Sequence, residues 1–218
     1  MKNIRLSTLI IVLIFLGCTL KKESNDSTVR QADSITTVIS NNKVEIQKLI
    51  RQVLNWSDSE NSIDLLPVLT DIKDSVYIGF DLDKHKANLE KLRKTNFFTN
   101  EFIENYNNII LTLDKRIRNK ELEEWVVGDL PVFAFANDVN PWTFCQDIPY
   151  DTPNPFDLIE VETIKLDSVK GELNWKWGKL KINNDIEWKE FRYKFRVVKE
   201  NGQWKIDYLQ GFDYKQSA

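Results

Sequence analysis

The sequence is poor in the side chains that most often carry catalytic or metal chemistry. Its 218 residues include one histidine, His85, and two cysteines, Cys18 and Cys145. A single histidine without a cysteine cluster excludes zinc sites of the usual ligand set. Cys145 as a nucleophile would need an activating imidazole, and His85, between Lys84 and Lys86, is predicted to lie on a solvated helix face. We therefore interpret Cys145 as a buried, inert thiol and predict no catalytic residue, metal ligand or cofactor.

Glycine and proline are also scarce, at 7 and 6 residues. No glycine-rich phosphate loop and no Gly-x-Ser-x-Gly elbow occurs, so the common signatures of nucleotide binding and of serine hydrolases are absent. The aspartates between residues 71 and 83 lack the spacing and the glycine of an EF-hand loop. The net charge of −3 offers no basic face to a phosphate backbone, which argues against nucleic acid as a partner.

The first 18 residues have the organisation of an export signal. Two bases, Lys2 and Arg5, precede a mostly apolar run over residues 6–16, which is too short to span a bilayer. The sequence Phe-Leu-Gly-Cys that ends at Cys18 resembles a bacterial lipobox. This resemblance implies that residues 1–17 are a lipoprotein signal peptide and that Cys18 is acylated, so that lipid anchors the chain to a membrane of the cell envelope, with the outer membrane as the expected one. The alternative is an ordinary signal peptide with a chance cysteine.

Residues 19–42 are polar and rich in Ser, Asn, Asp and Thr. They contain no aromatic side chain and no hydrophobic periodicity, which is typical of a flexible tether. We therefore predict a lipidated cysteine with its tether over residues 18–42. A single domain then follows over residues 43–218.

The first half of this domain has helical periodicity. Apolar residues at helical spacing predict a first helix over residues 43–56, and a short extended run follows at residues 76–80. Asp83 is the predicted cap of a second helix that continues to about residue 94. Apolar side chains from Phe98 to Ile117 form one stripe on a third, longer helix over residues 99–119, for which Thr99 is the predicted N-cap.

The period changes from helical to alternating in the second half. Residues 158–166, 169–177, 188–198 and 203–209 are predicted strands, and Asn201-Gly202 predicts a tight hairpin between the last two. Helices first and strands later indicate an α+β domain in which N-terminal helices pack on one face of an antiparallel sheet.

Two clusters have the residue types of a small-molecule pocket. The segment from Trp142 to Tyr150 combines three aromatic side chains with an amide and a carboxylate, and Trp175 and Trp177 share one strand face. The alternatives are that Gln146 and Asp147 only satisfy nearby backbone groups, and that the two indoles cover the third helix as core. The predicted pocket residues are Tyr106, Trp142, Gln146, Asp147, Tyr150, Trp175, Trp177 and Tyr193.

Three segments carry a resemblance to a family. They are the phenylalanine pair Phe97-Phe98 followed by Phe102-Ile-x-x-Tyr106, the triplet Cys145-Gln146-Asp147, and the closing stretch Gly202-Gln-Trp204-Lys-Ile206-Asp207. Together they resemble uncharacterised bacterial lipoproteins with a domain of unknown function, which look like members of the nuclear-transport-factor-two-like, cystatin-like superfamily. The resemblance implies a curved antiparallel sheet wrapped around a long helix to form a cone.

The resemblance leaves three kinds of function open. The first is a non-catalytic domain that binds a small ligand or an envelope protein. The second is an isomerase-like or hydratase-like enzyme, in which Asp147 would act as base and Tyr106 as hydrogen-bond donor. The third is an interaction module without a pocket, such as an assembly or immunity subunit. A shared fold does not by itself confer the enzymes' activity.

Overall fold

The computed structural model describes residues 26–149, 154–179 and 186–217, with side chains from residue 39 onward except at residues 186 and 187. Cys18 and Tyr150 therefore lie outside the described residues. The chain divides into two units between residues 35 and 36, and the features below belong to the second, apart from residues 26–35 of the first helix. No helix within the described residues combines the length and the apolar character that crossing a membrane requires.

Three long helices provide one layer of the domain. They are α1 (Asp26–Ser57), α2 (Leu82–Thr95) and α3 (Asn100–Arg118). The α3 prediction is confirmed, because the Thr99 side chain accepts a hydrogen bond from the backbone N–H of Phe102 at 3.1 Å. The apolar stripe of α3 is buried as its period requires.

Two predicted helix starts are wrong. Helix α1 begins at Asp26 rather than at residue 43, so residues 26–42 of the predicted tether are helical. No proline or glycine interrupts residues 18–66, and polar residues such as Ser and Asn cost only a few tenths of a kcal/mol each once a helix is nucleated. Helix α2 is capped by Asp81, not Asp83, since the Asp81 carboxylate accepts from the N–H of Lys84 at 2.9 Å.

The strands form two antiparallel sheets. Strands β1 (Val68–Thr70) and β2 (Tyr77–Phe80) make a two-stranded sheet. Strands β3 (Ile159–Leu166), β4 (Lys170–Trp177), β5 (Tyr193–Glu200) and β6 (Gln203–Leu209) make a four-stranded sheet in sequence order. The predicted Asn201-Gly202 hairpin is confirmed by positive φ angles of 52° and 80°.

The predicted strand over residues 188–198 is wrong in its first part. Residues Ile186–Glu190 form a short helix, α4, and β5 begins only at Tyr193. The sequence Glu-Trp-Lys-Glu within this stretch contains good helix formers and lacks the alternation that follows it. A last helix, α5, covers Tyr214–Ser217.

The four-stranded sheet has one buried and one solvated face, which confirms the α+β prediction. Side chains of β4 and β5 alternate between buried and exposed along each strand. The inward ones join the apolar residues of α1 and α3 in one core. On the outward face, Glu162 pairs with both Lys176 and Arg192 across the strands. Such exposed pairs contribute little to stability, so the inward face holds the sheet in place.

Other parts of the chain bond to backbone groups on both edges of this sheet. At the β3 edge, the guanidinium of Arg51 on α1 donates from Nε and Nη2 to the carbonyl oxygen of Ile159, at 3.0 and 2.7 Å. At the β6 edge, Ile206 donates to the carbonyl of Phe97 at 2.7 Å and accepts from the N–H of Thr99 at 2.9 Å. The outward backbone groups of these two edge residues are therefore satisfied within the chain.

Candidate functional site

The loop between α3 and β3 is held against the sheet by one buried phenol. The Tyr193 hydroxyl donates to the carbonyl oxygen of Pro141 at 2.8 Å and accepts from the N–H of Gly211 at 3.0 Å. Complete burial raises the pKa of Tyr193 well above its usual value, so the phenol stays protonated and can serve as donor. Next to this bridge, Trp142 packs on Phe212 with ring centroids 4.6 Å apart. The start of the loop segment 141–148 is thus fixed to the core.

Beyond this anchor, the loop and the α4–β5 region enclose a surface cleft with two adjoining lobes. One lobe, of about 630 Å³, is lined mainly by polar residues, and the other, of about 400 Å³, has three aromatic side chains in its lining and is called the aromatic lobe. The lobes share the wall formed by Cys145, Gln146, Asp147 and Trp188. The polar lobe adds Ser57, Asp58, Asn140, Thr143, Ile148 and Phe156, and the aromatic lobe adds Val139, Phe144 and Phe191.

Several polar groups of the cleft are already hydrogen-bonded within the protein. The Gln146 amide donates to the carboxylate of Asp138. The Asn140 side-chain oxygen accepts from the N–H of Trp142 at 3.0 Å, and the Ser57 hydroxyl donates to a carbonyl of α1 at 2.8 Å. These groups shape the cleft and have less capacity left for a ligand.

Three other polar groups of the cleft are not paired within the described residues. The carboxylates of Asp58 and Asp147 are exposed and make no side-chain hydrogen bond or ion pair there. The hydroxyl of Thr143 also lacks a partner, although the residue is only 3% exposed. A buried polar group without a partner costs about 1–3 kcal/mol, so the Thr143 hydroxyl calls for an explanation.

The backbone of the cleft wall is strained. Phe144 has a φ of 55°, and the nearby Ala136 and Asp138 have φ values of 56° and 62°. A bulky residue in the left-handed region is uncommon and costs on the order of 1–2 kcal/mol. The strain accompanies an unusual exposure, since the Phe144 ring is 39% exposed and lines the aromatic lobe. Such outliers concentrate at functional sites.

Cys145 is not an activated nucleophile. Burial raises the pKa of its thiol to about 12, against a smaller opposing effect of the Trp177 indole. Its Sγ donates to the Thr143 carbonyl at 3.4 Å. The thiolate form is therefore negligible near neutral pH, which agrees with the inert thiol predicted from the sequence.

The predicted pocket residues separate into two groups. Gln146 and Asp147 line the cleft. In contrast, Tyr106, Trp142, Trp175, Trp177 and Tyr193 are at most 3% exposed and belong to the core. The two strand tryptophans are thus packed in the core, as the alternative interpretation of the sequence has it. Their rings contact each other edge-on, with centroids 5.2 Å apart. Tyr150 lies outside the described residues.

The pair required for isomerase chemistry is not assembled in this cleft. The hydroxyl of Tyr106 donates to the carbonyl of Leu65 at 3.0 Å, and burial raises its pKa above the usual value. Tyr106 lines neither lobe, whereas Asp147 lines both. An acid–base pair must reach the same substrate, and these two residues do not share a cavity.

The prediction of a solvated His85 is wrong. His85 is 2% exposed, its Nε2 donates to the side-chain oxygen of Asn107 at 3.1 Å, and its ring contacts Tyr106 edge-on at 5.2 Å. Burial lowers its pKa, which keeps the imidazole neutral near pH 7. The flanking lysines suggest a wet face, but neighbours in a helix point about 100° apart. The better signal is the spacing of His85 to Leu89 and Leu92, both buried.

Sequence reasoning misses part of the cleft. Trp188 and Phe191 fall within a predicted strand, and Asp58 falls within the polar break after the first helix. Thr143 and Phe144 lie within the segment that is notable for its aromatic residues, so that signal is correct for the region. Among the described residues, no cluster of three or more His, Cys, Asp or Glu side chains could hold a metal ion.

The cleft has the composition of a binding site for an organic ligand. Aromatic walls, two exposed carboxylates and a strained loop converge on one surface feature, and the thiol in its wall is held protonated. Comparisons of the chain with protein-family models, with curated proteins and with solved structures found no match.

Proposed function

We propose that this chain is a lipid-anchored cell-envelope protein whose α+β domain binds a ligand in the two-lobed cleft without catalysing a reaction. The observation that carries the proposal is the exposed aromatic wall of the cleft, where the ring of Phe144 is 39% exposed and its backbone is held in the left-handed region. A ligand that covers this ring would remove its apolar surface from water on binding.

Binding is favoured over catalysis because the described lining of the cleft has no imidazole and no reactive thiol, and its two carboxylates are exposed. The Cys145 thiol is held protonated, and the imidazole of His85 is bonded to Asn107, away from the cleft. Asp147 lines both lobes and Asp58 lines the polar one, so the cleft has two carboxylates, but neither lies in a site that excludes water. General acid–base catalysis needs both roles within reach of the substrate.

The anchor and the superfamily assignment are part of the proposal. The lipobox-like sequence before Cys18 supports lipidation. Acyl chains on this cysteine would anchor the protein firmly, because each CH₂ buried in a bilayer contributes about 0.8 kcal/mol. The cone-type sheet of the nuclear-transport-factor-two-like superfamily is supported by β-bulges in the β3–β4 and β5–β6 pairs, because bulges bend strands.

Replacement of the anchoring cysteine is expected to release the protein from membranes. Cys18→Ala removes the only thiol of the leader, so no acyl chain can be attached, and the protein should move from the membrane pellet to the soluble envelope fraction. Fractionation with immunoblotting measures this shift. The control is Cys145→Ala, which removes the other cysteine and should leave the protein in the membrane. Retention of Cys18→Ala in the membrane pellet would contradict the anchoring proposal.

Replacement of Phe144 by Asn is expected to remove ligand binding while the domain stays folded. Asn tolerates the left-handed region, so in Phe144→Asn up to about 1 kcal/mol of relieved strain should offset part of the lost ring contact with Tyr193, and the domain should stay folded. It should also lose the ligand, because the aromatic lobe loses one wall. Urea unfolding measures the first effect. Mass spectrometry of small molecules released from the full chain, purified from its native envelope, measures the second.

Tyr214→Asn is the matched control, since Tyr214 is a similarly exposed aromatic residue that does not line the cleft. It should keep any co-purifying small molecule. If wild type and Phe144→Asn release the same small molecules in equal amounts, the cleft is not the binding site. Recovery of a protein partner alone, equally with both variants, would favour the interaction module.

A further inference from the structure

The small sheet of β1 and β2 is extended by a third segment of the chain. Two backbone hydrogen bonds, of 2.8 and 3.0 Å, join residues 75–77 to residues 125–127. Val126 lies between these bonds and directly opposite Val76. In an antiparallel pair of this kind, the N–H and C=O of the middle residue point away from the partner strand. The backbone of Val126 therefore faces outward, along an edge of the small sheet.

Most outward backbone groups of this edge are unpaired. The carbonyl of Val126 accepts from the N–H of Asp129 at 3.1 Å, but the N–H of Val126 has no partner among the described residues. The N–H and carbonyl of Glu124, two residues earlier, have none there either. A row of unpaired backbone groups on an extended segment is a template for a further strand. We call the surface formed by residues 124–130 the 124–130 edge.

The side chains around the 124–130 edge are aliphatic and exposed. Val126 and Leu130 are 42% and 58% exposed, and Val127 is exposed as well. Val127 is hydrogen-bonded to the turn that precedes β2, and in this turn Ile72 is completely exposed. Single exposed aliphatic side chains are normal, whereas neighbouring ones on one surface mark an interaction site.

The rim of the 124–130 edge is acidic. Residues 121–138 include five acids and no base. Three of the acids, Glu123, Glu124 and Asp129, are exposed and make no ion pair with the described residues. The neighbouring turn, residues 71–75, adds two acids and one base. A second copy of the chain would bring the same acids and be repelled, whereas a basic segment would be attracted.

From these features we infer that the 124–130 edge binds an extended basic segment of a partner protein by strand addition. The backbone of this segment pairs with Glu124 and Val126, and its aliphatic side chains cover Val126 and Leu130. Its lysine or arginine side chains face the acidic rim. None of these residues lines either lobe of the cleft, so the inference does not rest on the proposed function.

Three peptides of equal length separate the effect of charge from that of strand pairing. The first alternates lysine and valine, the second has glutamate in place of each lysine, and the third is the lysine peptide with every backbone nitrogen methylated. Each carries a fluorescein label and is titrated with the full chain in a nonionic detergent, with anisotropy as the readout. The lysine peptide should bind about tenfold more tightly than either of the others, because it alone combines positive charge with backbone donors.

Val126→Pro tests the backbone of the 124–130 edge. Proline removes the unpaired N–H of Val126, whereas the two bonds to residues 75–77 use the carbonyl of Trp125 and the N–H of Val127 and can persist. Trp125 belongs to the paired, extended segment, and a residue before proline prefers an extended conformation. The variant should bind the lysine peptide about tenfold more weakly than wild type does. Its midpoint of urea unfolding shows whether the domain stays folded.

A pair of charge variants leaves the backbone intact. Glu123→Gln combined with Glu124→Gln should weaken binding of the lysine peptide about fivefold and leave the midpoint of urea unfolding unchanged. Glu101→Gln is the matched control, because Glu101 is an exposed carboxylate in the first turn of α3 without an ion pair to the described residues. The small sheet packs near the other end of α3, where Asp114 accepts from Phe80. The control should bind the lysine peptide as wild type does.

Each contrary outcome overturns a stated part of the inference. Equal affinity for the lysine and glutamate peptides would overturn the basic partner, and equal affinity for the methylated peptide would overturn strand addition. A loss for Glu101→Gln as large as that for the double variant would mean that the peptide follows net charge alone, without this site. A wild-type dimer in sedimentation that Val126→Pro dissociates would overturn the partner protein in favour of a second copy. The function of the cleft is tested separately, with Phe144→Asn.

Discussion

Gly211→Ala is expected to destabilise the protein by about 3 kcal/mol or more, because the added methyl group would overlap the backbone of the cleft loop. A Cβ at this position would lie 2.1 Å from the carbonyl oxygen of Pro141 and 2.7 Å from its carbonyl carbon. Both are backbone atoms, so a rotamer change cannot relieve the overlap. Any shift also disturbs the Tyr193 bridge, to which Gly211 donates its N–H. Urea unfolding gives the free energy of unfolding.

Gly202→Ala is the matched control for this substitution. Gly202 has a φ of 80°, and a Cβ added there would have no described atom within 4 Å, so alanine incurs only backbone strain of about 1–2 kcal/mol. Gly211→Ala should therefore be the more damaging of the two. An equal loss for both would mean that the loop moves away from Gly211 freely. The close packing of the two segments would then not position the cleft.

Asp114→Ala is expected to cost about 2–4 kcal/mol, because it leaves a buried backbone donor without a partner. The carboxylate, 7% exposed, accepts from the N–H of Phe80 at 2.7 Å and from Nε of Arg118 at 2.9 Å. Arg118 completes the clamp by donating to the carbonyl of Phe80 at 3.2 Å. The pair therefore fixes the end of β2 on α3. Denaturant unfolding measures the loss, and Asp114→Asn should lose less because its amide oxygen can still accept from Phe80.

The control for this clamp is an exposed ion pair. Glu90 and Arg93 on α2 are 2.7 Å apart with side chains 54% and 38% exposed, and Glu90→Ala should change stability by less than about 0.5 kcal/mol. The contrast isolates the buried hydrogen bond to Phe80 from the ion pair as such. Similar losses for Asp114→Ala and Glu90→Ala would contradict the clamp.

Long periodic elements are predicted well from the sequence. The stripe of α3 extends over five turns, and the strand over residues 203–209 alternates without interruption, so the boundaries of both agree with the structure. The Asn201-Gly202 turn is predicted correctly because a tight hairpin requires positive φ at both central residues, and Asn and Gly adopt it most readily. In these places local preference and tertiary packing favour the same conformation.

Elements without a strong period are predicted poorly. The stretch Ile186–Glu190 is helical although it precedes an alternating strand, and β1 is only three residues long. Between α3 and β3 the loop has no regular repeat, and its course depends on distant side chains such as Tyr193. Contacts of this kind join residues far apart in sequence, so local pattern carries no information about them.

The candidate site is likewise predicted only in part from the sequence. Aromatic and polar residues around Cys145 mark the correct segment, because their clustering is visible in the sequence. Which rings are buried is not visible there: Trp142 is in the core and Phe144, two residues later, lines the cleft. The two residues differ in backbone conformation, because Phe144 has a left-handed φ and Trp142 does not. Neither composition nor spacing predicts a positive φ at phenylalanine.

The backbone bonds at the two edges of the four-stranded sheet have a consequence for self-association. An open edge strand can pair with the same strand of another copy and start a growing ribbon. Arg51 of α1 occupies the outward carbonyl of Ile159, and Phe97 and Thr99 occupy the backbone of Ile206. At these positions a second copy of the chain finds no free backbone group with which to extend the sheet.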